Sequence, residues 1–290
     1  MSATSSVRSR PDLCPGVFRP WAAADGALVR LRLIGGRITP RSLLALSELA
    51  AQYGDGDVHL TRRANLQVRG LPTCAGDLPP EVVEAIEATG LLPSRTHELV
   101  RNVMVSPQTG LAGGRADLRP VAAELDRRLC ADPALAQLPG RFLHVLDDGR
   151  GDLVGRSTDL GLVALDGSTA QLRIGSSGWG AVTRLCDAAR ALTSLASQFL
   201  AARGSGPGAL WHVDELPRPL VSPVARLAAT EVTAPALPHG PVEGGEHVSA
   251  PDGVVDHALA RRLVDGLGAG DELVVTPWNG VLVPDPEETP

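Results

Sequence analysis

Alternation of apolar and charged residues near the start of the chain constrains the fold more than any other feature. The segment ALVRLRLI (27–34) predicts a β-strand, because successive side chains of a strand point to opposite faces. We expect the apolar residues of this strand to face a core; they are Val29, Leu31 and Leu33. The two arginines between them, Arg30 and Arg32, are then expected to face outward.

A helix and a hairpin are predicted to follow this strand. Thr39 and Pro40 are typical of a helix start, with Thr as the N-cap and Pro at the first helical position. DVHLT (57–61) and LQVRG (66–70) predict two strands around a short turn, and residues 79–90 predict a second helix that begins at a proline pair. This β-α-β-β-α order belongs to a ferredoxin-like α+β unit.

A second α+β unit is predicted farther along the chain. Its elements are a helix (118–130), three strands (141–148, 160–165 and 170–174), a long helix (183–203) and one more strand (209–213). Residues 217–245 are rich in Pro, Gly, Ala and Val without a clear period, which predicts a linker.

The last segment is a weak repeat of the first. Residues 253–285 share with residues 36–71 the order helix, Gly-containing turn, strand ending in Thr, turn with Asn, and strand, and Thr276 matches Thr61. The second copy lacks a closing helix, so its strand valines, Val274, Val275, Val281 and Val283, are expected to have one face or edge uncovered. Two outcomes are open: residues 245–290 stay mobile or pair with another chain, or they pack back on residues 27–71.

Composition narrows the classes of function. The net charge is −6 and all 27 basic residues are arginine, so nothing favours a nucleic-acid partner, and every cationic side chain is a planar fork suited to carboxylates. No apolar run is long enough to cross a membrane and the first residues do not form a secretory signal, which predicts a cytoplasmic protein. The four cysteines, Cys14, Cys74, Cys130 and Cys186, form no closely spaced pair, so neither a disulfide framework nor an iron–sulfur cluster site is predicted.

Candidate binding residues concentrate at the predicted hairpin. HLTRRANLQVRG (59–70) contains Arg62, Arg63, Asn65, Gln67 and Arg69, and guanidinium and amide groups on one strand face make a receptor for several carboxylates. The alternative is a solvated hairpin edge whose charges oppose aggregation.

Two further clusters are weaker. Arg101 and Asn102 begin the apolar run RNVMVSP, and Arg150 lies in LDDGRGD, a loop that suits a polar ligand or an ordinary Asx turn. The histidines are scattered without ligand spacing, so no metal site is predicted. No residue is assigned a catalytic role.

These motifs occur in an order that resembles a known family. Residues 25–71 look like the ferredoxin-like half-domain of nitrite and sulfite reductases, and RNVMVSP (101–107), residues 119–152 with LDDGRGD, and VVTPWNGVLVPD (274–285) are similar to precorrin-3B synthases. The resemblance implies an oxidoreductase of cobalamin biosynthesis that hydroxylates a precorrin and forms a γ-lactone. It also implies a 4Fe–4S cluster and a haem-like tetrapyrrole or iron, although the family's cluster cysteines have no counterpart in this chain.

The resemblance carries site residues and boundaries over to this sequence. It implies that the tetrapyrrole carboxylates are bound by Arg63 with Asn65 and Gln67, and by Arg101 with Asn102. Arg69 of the hairpin and Arg150 of LDDGRGD are added to these candidate tetrapyrrole-binding residues. The expected fold is an α+β chain with a ferredoxin-like half-domain (1–96), a sirohaem-reductase-type α+β unit (97–216), a linker (217–245) and an incomplete second ferredoxin-like half (246–290).

Three functions fit these features. The first is a precorrin-3B synthase-like oxidoreductase that binds a precorrin-type tetrapyrrole, with a partner chain carrying the cluster half or a second copy of itself. The second is a catalytically inactive tetrapyrrole-binding module. The third is half of a split nitrite/sulfite reductase-type enzyme.

Overall fold

Helices and strands are mixed along the computed structural model, which describes residues 12–268 and 270–286. The helices are α1 (Pro40–Tyr53), α2 (Pro80–Ala88), α3 (Arg119–Ala131), α4 (Leu185–Ala202) and α5 (His257–Val264). The strands are β1 (Trp21–Ala23), β2 (Gly26–Leu31), β3 (Arg37–Ile38), β4 (Val58–Leu60), β5 (Leu66–Leu71), β6 (Val103–Val105), β7 (His144–Asp147), β8 (Leu160–Ala164), β9 (Thr169–Ile174), β10 (Gly178–Arg184), β11 (Gly240–Val242), β12 (Gly245–Ser249), β13 (Val254–Val255), β14 (Leu273–Val275) and β15 (Gly280–Pro284). The fold is α+β, as predicted.

Within the described ranges the strands form three five-stranded sheets. Their orders are β1-β2-β5-β4-β13, β10-β9-β8-β7-β6 and β11-β12-β15-β14-β3. The first and third sheets are antiparallel, whereas β6, β7 and β8 of the middle sheet run parallel. Each outer sheet includes one strand from the opposite end of the chain, because β13 pairs with β4 and β3 pairs with β14.

Helix α1 forms where the sequence predicts it and for the predicted reason. The Thr39 hydroxyl accepts a hydrogen bond from Ser42 N at 3.1 Å, which satisfies one of the free amides at the helix start. The apolar stripe is buried at Leu43, Leu46 and Leu49. This stripe packs the helix on the core that the two outer sheets share.

The predicted repeat is visible at the two hairpin tips. Thr61 N donates to Asn65 O at 2.9 Å, and Thr276 N donates to Gly280 O at 2.9 Å. Ala64, with φ 55°, and Asn279, with φ 53°, hold equivalent left-handed positions one residue before these acceptors. The same backbone turn is therefore built twice.

The second half packs back on the first within the described residues, which is one of the two outcomes left open by the sequence. Val274, Val275 and Val281 are at most 1 % exposed, and two of them lie in one core with α1 and the first sheet. The expectation of an uncovered face is wrong for these valines, because strand β3 covers the edge of β14.

The outward orientation predicted for Arg32 is also wrong. Arg32 is 3 % exposed, because the chain around Pro15 and the segment before β6 cover that side of the strand. Its Nε donates to Asn102 Oδ1 at 3.2 Å and its Nη1 donates to Pro15 O at 3.2 Å. A strand alternates strictly, but alternation cannot show which face later packing covers.

Two predicted elements of the second unit, the long helix and the last strand, differ from the structure. The residues before α4 form strand β10, so the helix begins at Leu185 instead of residue 183. Residues 209–213 do not form a strand, because the His212 side chain caps a 3-10 turn at Val213–Glu215. A local side-chain cap replaces sheet pairing there.

The predicted linker, residues 217–245, is fixed to the middle sheet and contributes β11. Leu227 N donates to Gln171 Oε1 at 3.0 Å, and Gln171 Nε2 donates to Ala225 O at 2.8 Å. Gln171 lies on β9 and is fully buried, so this stretch covers one end of that strand. Among the described helices, none has the length and apolar character needed to cross a bilayer.

Candidate functional site

The hairpin between β4 and β5 is anchored by two buried amides. Asn65 Oδ1 accepts from Leu33 N at 2.9 Å, and Asn65 Nδ2 donates to Asn102 Oδ1 at 3.4 Å. Asn102 also donates to Leu99 O and Gly140 O, at 3.0 and 2.9 Å. The two amides therefore fix the hairpin tip against the segment 101–103, and they form hydrogen bonds within the protein.

A cleft of about 510 Å³ opens beside this hairpin. Its walls come from five parts of the chain: the segment before β1, strand β2, the hairpin tip, the residues just before β7 and the segment after α4. The lining residues are Asp12, Leu13, Cys14, Pro15, Arg30, Arg63, Arg141 and Trp211. We call this space the arginine cleft.

The three cleft arginines form no ion pair with any residue that the structure describes. Arg63 Nη1 donates to the backbone carbonyl of Arg141 at 2.9 Å, and the Arg141 guanidinium lies 5.5 Å from the centre of the Trp211 ring. Arg30 faces the Gln67 amide, and in the orientation that satisfies both groups Gln67 Oε1 accepts from Arg30 Nε at 3.0 Å.

The electrostatics of the cleft favour an anion. Burial is the main cause that lowers the pKa of Arg63; the Arg141 charge adds to it, whereas Cys14, Asp159 and Asp12 oppose it. Burial also lowers the pKa of Arg30, with the Arg63 charge acting in the same direction and Cys14 against it. Asp12 forms no ion pair with these arginines, and its carboxylate accepts from Cys14 N and Gly140 N, at 3.1 and 2.6 Å. A carboxylate ligand would relieve this like-charge repulsion.

The cleft continues into a smaller compartment of about 270 Å³. Arg63, Arg141 and Trp211 line both spaces, and the far wall carries Asp159 and His212. Burial raises the pKa of Asp159 to about 6, although His212 and two backbone amides oppose that rise.

The remaining predicted site residues do not line the arginine cleft. Arg69 pairs with Asp25 at 3.2 Å on the surface, and Arg101 forms a two-pronged pair with Asp126 at 2.6 and 2.9 Å. Arg150 is bound to Asp148, at 2.7 Å, and to Gln108 and the Ala112 carbonyl. Of the seven residues predicted, Arg63 lines the cleft, Gln67 supports Arg30, and Asn65 and Asn102 hold the hairpin.

Sequence reasoning missed Arg30, Arg141 and Trp211. Arg30 had a usable signal, since it lies opposite Gln67 in the β2–β5 register and so shares a face with that predicted residue. Arg141 and Trp211 had none, because their approach to Arg63 depends on how the middle sheet packs against the hairpin.

The described residues offer no site for a metal cluster. All four cysteines are free, and no group of three or more His, Cys, Asp or Glu side chains in residues 12–268 and 270–286 is placed to hold a metal ion. A four-thiolate cluster needs its ligands gathered at one point. These residues therefore do not fit a 4Fe–4S cluster, whereas the arginines of the cleft suit a ligand that carries carboxylate groups.

The purified chain is accordingly expected to hold no stoichiometric 4Fe–4S cluster. The measurement is an iron and acid-labile sulfide assay on protein prepared and reconstituted anaerobically, with a known cluster protein treated in parallel. About four irons per chain, with the matching sulfide and a visible charge-transfer band, would contradict the expectation.

Comparison with known proteins places the fold in a class. Residues 22–88 match the family model described as the nitrite/sulfite reductase ferredoxin-like half domain. The structure of the Mycobacterium tuberculosis NirA protein aligns over 95 % of this chain and 60 % of its own, with a TM-score of 0.64 and 17 % identity. Residues 22–88 are thus similar to the ferredoxin-like half domain of nitrite and sulfite reductases, and the fold of the chain resembles that of the NirA protein.

Two relatives of known name are similar in sequence to about half of this chain. A precorrin-3B synthase of Sinorhizobium sp is 31 % identical over 147 residues, covering 48 % of this chain and 29 % of the relative. A ferredoxin–nitrite reductase of Synechococcus elongatus is 31 % identical over 142 residues, covering 47 % of this chain and 27 % of the relative. The matched regions thus span less than a third of these relatives' own length. A sulfite reductase of Shouchella clausii, named a hemoprotein beta-component, is 46 % identical over 44 residues, covering 15 % of this chain and 8 % of the relative.

Proposed function

We propose that this chain is the tetrapyrrole-binding part of a precorrin-3B synthase-like oxidoreductase of cobalamin biosynthesis. The observation that carries the proposal is the arginine cleft, where Arg30, Arg63 and Arg141 have no carboxylate partner among the described residues. Elsewhere in the same chain, Arg69, Arg101 and Arg150 do have such partners. The substrate is then a tetrapyrrole with acetate and propionate side chains.

Each cleft residue has a distinct role in this proposal. Arg63 and Arg141 bind carboxylates at the junction of the two compartments, and Arg30 binds one at the β2 wall. Gln67 orients Arg30 from the adjacent strand. Trp211 lines both compartments next to Arg141 and places an aromatic side chain beside the proposed carboxylate sites.

The redox step is not assigned to residues of this chain. A cluster, where the reaction uses one, supplies electron transfer, and the described residues do not provide its ligands. We propose that a partner chain supplies that half of the site. A binding module without redox chemistry and half of a split nitrite/sulfite reductase-type enzyme are the alternatives, and the same lack of a ligand group favours them.

Arg63→Ala is expected to weaken binding of uroporphyrin III roughly tenfold or more, because a charge-assisted hydrogen bond contributes ~1.5–3 kcal/mol. Fluorescence quenching of the porphyrin at constant ionic strength measures the dissociation constant. Salt should weaken binding to the wild type more than binding to the variant, since one charge contact is removed.

Arg69→Ala is the matched control. It deletes an arginine of the same hairpin that pairs with Asp25 outside the cleft, so its affinity should equal that of the wild type. Equal loss in both variants would mean that hairpin charge in general attracts the ligand. No loss in Arg63→Ala would remove the arginine cleft from the binding site and with it the basis of the proposed function.

A further inference from the structure

We propose that a second cavity, separate from the arginine cleft, binds a small organic anion whose head group is a carboxylate or a phosphate. The cavity has a volume of about 570 Å³ and lies between the residues after β2, strand β3, the segment after α2 and the first turns of α3. No described residue lines both this cavity and either compartment of the arginine cleft. We call this space the α3 cavity.

The walls of the α3 cavity combine apolar surface, which includes Leu33, Leu91 and Pro120, with charged groups. Apolar walls suit the body of a small organic ligand, and a few polar groups then select its charge. Three of the four arginines have a carboxylate partner, and the fourth, Arg32, forms no ion pair among the described residues. The charged lining residues are Arg32, Arg37, Arg101, Arg119, Asp126 and Glu272.

Arg32 is a buried cation at the wall of this cavity. Its side chain is 3 % exposed, and its Nη2 is closed off from solvent and has no hydrogen-bond partner in the described ranges. Burial lowers its pKa to about 10, with the Arg30 charge acting in the same direction and Cys14, Glu98 and Asp12 against it. The Glu98 carboxylate accepts from two backbone amides instead of pairing with Arg32. An anion in the α3 cavity would compensate this buried charge.

Two arginines on the cavity walls are held in place by carboxylates and keep one donor group each. Arg37 Nε donates to Glu272 Oε2 at 2.7 Å, and Arg101 Nε and Nη2 donate to the two Asp126 oxygens at 2.6 and 2.9 Å. Nη1 of either arginine forms no hydrogen bond with a described residue. Each carboxylate therefore fixes a guanidinium without using all of its donors, and a ligand head group can accept from the donor that is left.

Calorimetric titration with phenyl phosphate and with benzoate, at constant ionic strength, tests the inference. The wild type should show saturable binding of at least one probe, and the probe that binds more tightly identifies the head group. Arg37→Ala should weaken that binding roughly tenfold, because it removes one charge-assisted donor. Arg41→Ala deletes an exposed arginine of α1 that does not line the cavity, and it should bind as the wild type does.

A second comparison leaves every arginine in place. Ala123 is an exposed residue of α3 on the cavity wall, so a longer side chain there does not disturb the core. Ala123→Glu brings a like charge to the ligand and should weaken binding at least about fivefold more than Ala123→Gln, which has the same shape without the charge.

Weaker binding in both Arg37→Ala and Ala123→Glu than in their controls supports the inference. It is overturned if the wild type binds neither probe, or if these variants leave binding unchanged and Arg63→Ala removes it, since the probe then lies in the arginine cleft. Arg37→Ala should bind uroporphyrin III as the wild type does, which keeps this test apart from that of the proposed function. Equal losses of uroporphyrin III and probe affinity in Arg37→Ala would overturn the assignment of a separate site.

Discussion

Replacing Asn102 with alanine is expected to lower the free energy of unfolding by about 3–5 kcal/mol. Asn102 is 2 % exposed, and its side chain accepts from Arg32 Nε and donates to two backbone carbonyls. Without it the buried Arg32 guanidinium loses a partner, and Arg32 Nη2 already lacks one among the described residues. Urea denaturation followed by circular dichroism measures the change.

Arg69→Ala serves as the comparison for stability too. Its pair with Asp25 is about two-fifths exposed, and exposed pairs contribute ~0–1 kcal/mol. Asn102 and Arg69 were both predicted from the sequence as binding residues. A large loss of unfolding free energy in Asn102→Ala and a small one in Arg69→Ala would show that Asn102 has a structural role. Similar losses in the two variants would show that Asn102 does not hold the hairpin.

Because of His144, the free energy of unfolding is expected to fall by about 3 kcal/mol as the pH falls from about 6.5 towards 4. The ring is fully buried, both of its nitrogens lack a partner among the described residues, and burial lowers its pKa to about 4, opposed in part by the Asn102 backbone. An unfolded histidine titrates near 6.5, so the unfolded state binds the proton first. The stability is fully present above about pH 6.5 and is lost as pH falls towards 4.

His144→Leu isolates this effect. The variant fills a similar volume and cannot titrate, so the difference in unfolding free energy between variant and wild type should grow in favour of the variant between pH 7 and pH 4.5. Asp152 and Asp159, whose pKa values burial raises to about 7 and about 6, change stability in the opposite direction. They are present in both proteins and cancel in the difference. A pH-independent difference would refute the assignment to His144.

Local pattern was enough to predict the elements that build the hairpin wall of the cleft. Residues close together in the sequence determine three of these features: the alternation of β2, the Thr39 cap and the two strands of the hairpin. The structure contains all three. Strand β10 escaped prediction because its pairing shifts register between Trp179 and Val182, and such an irregularity breaks the alternation that a strand would show.

The sequence predicted which residue types form the site, but it did not predict which residues each of them contacts. The family resemblance assigned Arg63, Gln67 and Arg101 to one binding site, yet Arg101 pairs with Asp126 of helix α3 and so has a carboxylate partner inside the protein. That pairing depends on how α3 packs against the segment before β6. Periodicity within one segment carries no information about such contacts between segments.

The exchange of β3 and β13 between the outer sheets links the two ends of the chain. Arg37 and Glu272, whose side chains bond beside this junction at 2.7 Å, are 235 residues apart. Closing so long a loop costs conformational entropy before any contact compensates for it, and chains rich in such distant contacts fold slowly. During synthesis the first sheet cannot be completed before β13 has been made, so the edge of β4 stays unpaired until most of the chain has emerged from the ribosome. Folding is therefore expected to complete late and to expose that edge to aggregation or chaperone binding in the interval.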